Sequence, residues 1–154
     1  MRRHITGFKE DEQGDWIALL ECRHQQHVRH QPPFIERPWV TSAEGRAAAI
    51  GQVLECSLCA RLVWPKQLVA YKRTPEFTEL TVPTGLTKDH STKRGVWARI
   101  VVLEGTLHYR VEAFSAAFDL TPGVDGIIVP EVLHHVTPLG VVRFYVEFYR
   151  AQEA

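Results

Sequence analysis

All three cysteines of the chain and three of its histidines fall into one pattern: Cys22-x-His24-x2-His27-x2-His30, followed by Cys56-x2-Cys59. Thiolate sulfur and imidazole nitrogen are the usual ligands of zinc, which closes a tetrahedral site on four of them. On a strand, residues i and i+2 share a face roughly 6–7 Å apart, so Cys22 and His24 can reach one ion. Cys56 and Cys59, three positions apart, meet on one side of a helical turn. These four make a Cys3His set, an arrangement of structural zinc sites. His27 competes with His24 for the fourth place from across a hairpin, whereas His30 lies further from the turn and beside Pro32-Pro33. Four protein ligands leave no open position, so the expected zinc is structural. A thioredoxin-like role for the Cys56/Cys59 pair is not expected, because no βαβ pattern surrounds it.

The elements that must hold this cluster are few. Asp15 to His24 reads as a strand, with Gln25-Gln26 turning it back into His27–His30. Pro32, Pro33 and Pro38 then interrupt regular structure. Thr41-Ser42-Ala43-Glu44 is a helix start, with a hydroxyl cap and an acid in the first turn, and the alanine-rich stretch from Glu44 to Leu54 is expected to be helical. A hairpin plus a helix of this size has a small core, which a metal staple would support. Composition changes near Pro65, so the expected division is a Cys/His zinc-binding α+β unit over 1–64 and a second unit over 65–154.

The second unit reads as short strands between Gly and Pro turns. Gly95–Leu103 is rich in β-branched and aromatic residues. Glu104-Gly105 is expected to turn it into Thr106–Glu112, which alternates apolar and polar. Phe114–Leu120, Gly126–Pro130 and Val141–Tyr149 are further strands, with Thr121-Pro122-Gly123 as a turn. The expected class is mainly β, a sandwich or small barrel. Trp97, Leu107 and Tyr109 are expected in its core, and His108 in solvent.

Histidine-bearing segments flank these strands, and with them the chain resembles a known family. His90-Ser91-Thr92-Lys93-x-Gly95-x-Trp97, then Val102-Leu103-Glu104-Gly105 with Tyr109 four residues on, then Pro130-Glu131-x-x-His134, then Arg143-Phe144-x-x-Glu147-Phe148-Tyr149, resemble the TehB/YeaR-like domain over about 69–149. The resemblance implies a small cupin-like β-barrel associated with tellurite resistance. The first unit is similar to a small bacterial Cys/His domain of unknown function through Cys22-x-His24-x-Gln26-His27-Val28-Arg29-His30 and Arg37-Pro38-Trp39-Val40. Against the metal-binding cupin motifs, His90 and His134 match, but Thr92 stands where a second histidine is expected and Trp97 or Ala98 where a glutamate is. His135 is expected on the opposite face. The barrel mouth is then lined by His90 and His134 with Arg99, Tyr145 and Glu147, which could hold a small molecule or oxyanion, or a second metal.

Composition narrows the functions further. Lys+Arg and Asp+Glu number 18 each in 154 residues, so the chain lacks the basic excess of a general nucleic-acid binder. No apolar run approaches membrane-spanning length. The N-terminus has no apolar signal core, and the odd cysteine count fits a reducing cytoplasm. No glycine-rich strand-to-helix loop is present, so methyl transfer is not expected. The leading expectation is a binding protein more than an enzyme. The competing ones are a metal-dependent cupin enzyme using His90 and His134, and a zinc-stabilised module for protein or nucleic acid using Arg23, Arg29 and Arg37. Exposed strand edges also allow a homodimer.

Overall fold

The structure, a computed structural model, describes residues 1–152 and divides into two units, Met1–Ala60 and Arg61–Ala154. In the first, β1 (Arg2–Glu10) buries Arg3 and Ile5 and exposes the residues between, the period-2 pattern of a strand. It pairs antiparallel with β2 (Trp16–Leu20), which pairs with β3 (Gln25–His27). Helix α1 (Ala43–Ala49) follows a 3-10 turn over Pro38–Thr41, and β4 (Val53–Glu55) returns to pair with the start of β1. The sheet order is β3-β2-β1-β4, and the short helix α2 (Ser57–Ala60) closes the unit.

This corrects the hairpin-plus-helix expectation in three places. β1 went unread because its side chains are mostly charged or polar; even its buried Arg3 is a cation, held 3.8 Å from the Glu21 carboxylate. The alanine-rich helix stops at Ala49, since Val53–Glu55 completes more backbone hydrogen bonds as a sheet edge than as an isolated helical turn. The reversal after β2 falls at Glu21–His24, not at Gln25-Gln26. There the Arg23 N–H donates to the Leu20 carbonyl at 2.9 Å and the Leu20 N–H to the His24 carbonyl at 3.1 Å, with Arg23 at φ 73.

The N-terminus of α1 is capped as its sequence implies: the Gly45 N–H donates to Ser42 Oγ at 3.0 Å. Ser42→Ala is therefore expected to destabilise the first unit by about 1 kcal/mol, read as a lower denaturation midpoint for that unit with the second unchanged.

The second unit contains β5 (Leu68–Arg73), β6 (Phe77–Thr78), the short helix α3 (Thr84–Thr87), β7 (Trp97–Val111), β8 (Ala116–Leu120), β9 (Gly126–Ile128) and β10 (His135–Ala151). Its sheet runs β5-β10-β7-β8, with β6 added to β10 and β9 to β7. The long antiparallel pair β7–β10 is its spine. The turn expected at Glu104-Gly105 is absent: β7 runs straight through. Gly105, at φ 77, instead faces a register shift between Pro138 and Val142 of β10, where the chains approach so closely that a Cβ would lie 1.9 Å from the Val141 carbonyl oxygen. It is a bulge glycine, and such shifts bend a strand and curl a sheet. β5 escaped notice because all of it beyond Leu68 is exposed and lacks alternation.

Trp97, Leu107 and Tyr109 are buried, together with Ile100, Val102 and Phe144. His108 is half-buried and paired with Asp119 at 2.8 Å. Among the described residues no helix is long and apolar enough to cross a membrane.

Candidate metal centre and candidate ligand pocket

The Glu21–His24 reversal places Cys22 and His24 on one tight loop. Pairing of β4 with the start of β1 brings Cys56 to the same spot, where its N–H donates to the Met1 carbonyl at 2.7 Å. One turn of α2 adds Cys59. All four side chains are buried, and their ligand atoms lie within 4.8 Å of one another. Cys22 Sγ and Cys56 Sγ are 3.8 Å apart, while His24 Nδ1 is 3.4 Å from Cys56 Sγ and 3.5 Å from Cys59 Sγ.

These spacings fit a tetrahedral ion. With Zn–S of about 2.3 Å and Zn–N of about 2.0–2.1 Å, the edges of the tetrahedron are about 3.8 Å between sulfurs and about 3.5 Å from sulfur to nitrogen. The thiols also conflict without a cation. Hydrogen bonds with Cys56 and Cys59, together with burial, push the Cys22 thiol far above its ordinary range, whereas hydrogen bonds from Cys22 and Cys59 hold Cys56 far below it. A divalent cation in the cluster would favour the thiolate forms that coordinate it.

The rival imidazoles point elsewhere. His27 Nε2 is 2.8 Å from Asp11 Oδ2, and His30 Nδ1 accepts the Arg37 N–H at 3.0 Å. His24 is the histidine that meets the three sulfurs. Cys22 and His24 meet through a turn and not along a strand face.

In the second unit a cavity of about 540 Å³ opens over one face of the sheet. Ile100, Ile128, Val136, Phe144, Val146 and Phe148 supply apolar wall, and Lys72, Ser91, Thr92 and Lys93 add polar groups. His90 and His134 both line it, their rings 4.3 Å apart. Reciprocal backbone hydrogen bonds of 3.0 and 2.9 Å join the two residues. Burial lowers the His134 pKa to about 4, so its ring is neutral near pH 7.

Arg99, Tyr145 and Glu147 do not join this pair, which corrects the barrel-mouth set. Each alternates with a cavity-lining neighbour (Ile100, Phe144, Val146, Phe148), and the strand period turns it to the opposite face. There the Arg99 guanidinium stacks 4.2 Å from the Trp64 ring and 5.6 Å from that of Tyr149. Arg73 covers Tyr145 at 3.5 Å. The Tyr149 hydroxyl donates to Glu147 at 2.6 Å; burial and that carboxylate raise its pKa to about 12. His135 also faces away, 2.8 Å from Asp89. Phe77 and Leu86, which the sequence did not flag, line the cavity from β6 and the segment at α3.

Residues 72–146 match the model of the TehB-like domain. Residues 72–146 are a TehB-like domain. Ahead of it, residues 6–63 match DUF3565, a protein family of unknown function. The crystal structure of TehB from Haemophilus influenzae is 27% identical with a TM-score of 0.51, over 56% of this chain and 32% of that one. The chain thus spans about a third of the length of that TehB. A protein of Escherichia coli strain K12 shares the fold of the TehB-like unit, at 23% identity and a TM-score of 0.55, over 58% of this chain and 97% of that one. No curated protein matches the chain. His90 and His134 fall within the matched residues 72–146, and the Cys/His cluster lies wholly within the other unit.

Proposed function

We propose that this chain is a small-molecule-binding protein of the tellurite-resistance-related class. Its TehB-like unit is a cupin-type barrel that holds the ligand, and its first unit is stapled by a structural zinc. The observation that carries the binding role is the cavity: largely apolar walls, enough volume for a small molecule, and an imidazole pair lining it, His134 buried and His90 half-buried. The exposed Lys72 and Lys93 would tolerate an anionic ligand; the walls suit hydrocarbon. Zinc in the first unit would be held by Cys22, His24, Cys56 and Cys59, and would supply cross-linking of the fold, not chemistry, because protein fills every position. Buried reduced thiols of this kind suit a reducing cytoplasm.

A metal-dependent enzyme at His90 and His134 fits the residues less well. Among the described residues, the Cys/His cluster is the one group of three or more candidate ligands close enough to share an ion, and no third ligand joins this pair. A nucleic-acid interaction module is disfavoured by the zero net charge.

The binding role is tested by methyl NMR of the zinc-loaded chain during titration with sodium tellurite and with small apolar compounds. The expected result is shifts concentrated on Ile100, Ile128, Val136 and Val146. Shifts scattered over both units, or none on these methyls with any compound, would end the proposal.

A further inference from the structure

The two imidazoles of the pocket are held in one tautomer. A backbone carbonyl has no proton to give, so His90 Nδ1–H donates to the Lys88 carbonyl at 2.8 Å and His134 Nδ1–H to the Val132 carbonyl at 3.0 Å. A neutral imidazole carries one N–H. His134, whose ring is neutral near pH 7, therefore leaves its Nε2 as a bare acceptor. Among the described residues His134 Nε2 has no hydrogen-bond partner, yet it is not among the sealed polar atoms, so it opens onto the cavity its ring lines. The reciprocal backbone bridge between His90 and His134 fixes the rings side by side.

Such a pair discriminates between ligand classes. A lone pair open to a cavity repels the oxygens of a bare oxyanion and accepts a group that brings its own proton. Of the other polar groups, Thr92 Oγ1 donates to the Val96 carbonyl at 2.7 Å and Thr74 Oγ1 to the Pro75 carbonyl at 2.9 Å, while Ser91 lies exposed at the rim. The Tyr109 hydroxyl, whose ring packs edge-on to His134, donates to the Ile127 carbonyl at 2.7 Å. Asp89 is engaged by His135. Lys72 and Lys93 line the cavity but are exposed, where solvent screens their charge.

We propose that the TehB-like pocket takes a small neutral molecule with a hydroxyl group on an apolar body, of the phenol or alcohol class, whose O–H donates to Nε2 of His134 or His90. This rests on the small-molecule role above and narrows it. The rest of the molecule lies against Ile100, Ile128, Val136 and Phe144. One net hydrogen bond of ordinary strength makes the hydroxylated compound bind about tenfold tighter than its hydrocarbon analogue.

The test is a titration of the zinc-loaded full chain with phenol, toluene and sodium tellurite, followed on the Ile and Val methyls of the cavity. Phenol is expected to bind about tenfold tighter than toluene, with the advantage reduced in His90→Phe and in His134→Phe. His90 is only half-buried, so its variant keeps the test valid if His134→Phe fails to fold. Equal binding of phenol and toluene would overturn the hydroxyl inference and leave small-molecule binding standing. Cavity shifts with tellurite but not phenol would likewise overturn it in favour of an oxyanion. Silence with all three probes would overturn both.

Discussion

If the first unit holds the proposed zinc, removing that zinc is expected to unfold residues 1–60 and leave the TehB-like unit folded. The first unit is a four-stranded sheet with two short helices, and its core is slight: Ile5, Ile17, Ala18, Leu20, Val28, Val40 and Ala49, with the three cysteines. A chain of that size retains only about 3–5 kcal/mol of net stability from its core. Structural zinc contributes on the order of 10 kcal/mol in small domains, more than that reserve. The cluster also joins parts far apart in sequence, the Glu21–His24 loop and the β4–α2 corner, so its loss opens the unit at both ends of the sheet. Hydrogen exchange after treatment with a strong chelator reads this by residue. Amides of β1 and β2 should lose protection while those of Trp97–Val111 keep it. Cys59→Ser should reproduce the effect, because three ligands and one orphaned position hold zinc poorly. Full protection of β1 and β2 after complete metal removal would show that the core suffices alone.

The second large effect is expected at Gly105. Substitution by alanine puts a Cβ 1.9 Å from the Val141 carbonyl oxygen, in a backbone conformation (φ 77) that side chains already disfavour. Neither strand can retreat cheaply, since β7 and β10 are paired on both sides of the bulge. Gly105→Ala should therefore cost more than about 3 kcal/mol, and Gly123→Ala is the control. Gly123 has a similar φ of 88 but nothing within 4 Å, so its cost should be only the backbone strain, about 1–2 kcal/mol. Chemical denaturation of the second unit, followed by tryptophan fluorescence, separates the two. Equal midpoints for both variants would contradict the bulge assignment.

These two positions also mark what could be seen in the sequence and what could not. The cluster was visible because the cysteines occur nowhere else and their types and spacing have a chemical meaning independent of fold. Choosing His24 over His27 needed the turn at Arg23, and nothing in Glu-Cys-Arg-His announces a non-glycine residue at positive φ. β1 was invisible because its pattern is written in charge: Arg3 is buried beside Glu21, and strand periodicity built on a cation looks like a solvated face. Gly105 reads as a turn in the sequence, since a bulge and a turn demand the same backbone freedom, and only the partner strand tells them apart. His90 and His134 were singled out, and the structure brings them together. Arg99, Tyr145 and Glu147 were placed beside them for their chemistry, though simple alternation with Ile100, Phe144 and Val146 already put them on the other face.

The central claim is that the chemistry of this chain is divided: a metal that holds up the first unit, and a metal-free pocket in the TehB-like unit that holds a ligand. Elemental analysis of the purified chain and its variants tests that division most directly. The account predicts one zinc per chain, lost in the Cys56→Ser, Cys59→Ser double variant and retained in His90→Phe. No zinc in a chain whose first unit is folded, or a zinc that survives the cysteine changes and leaves with His90, would contradict it.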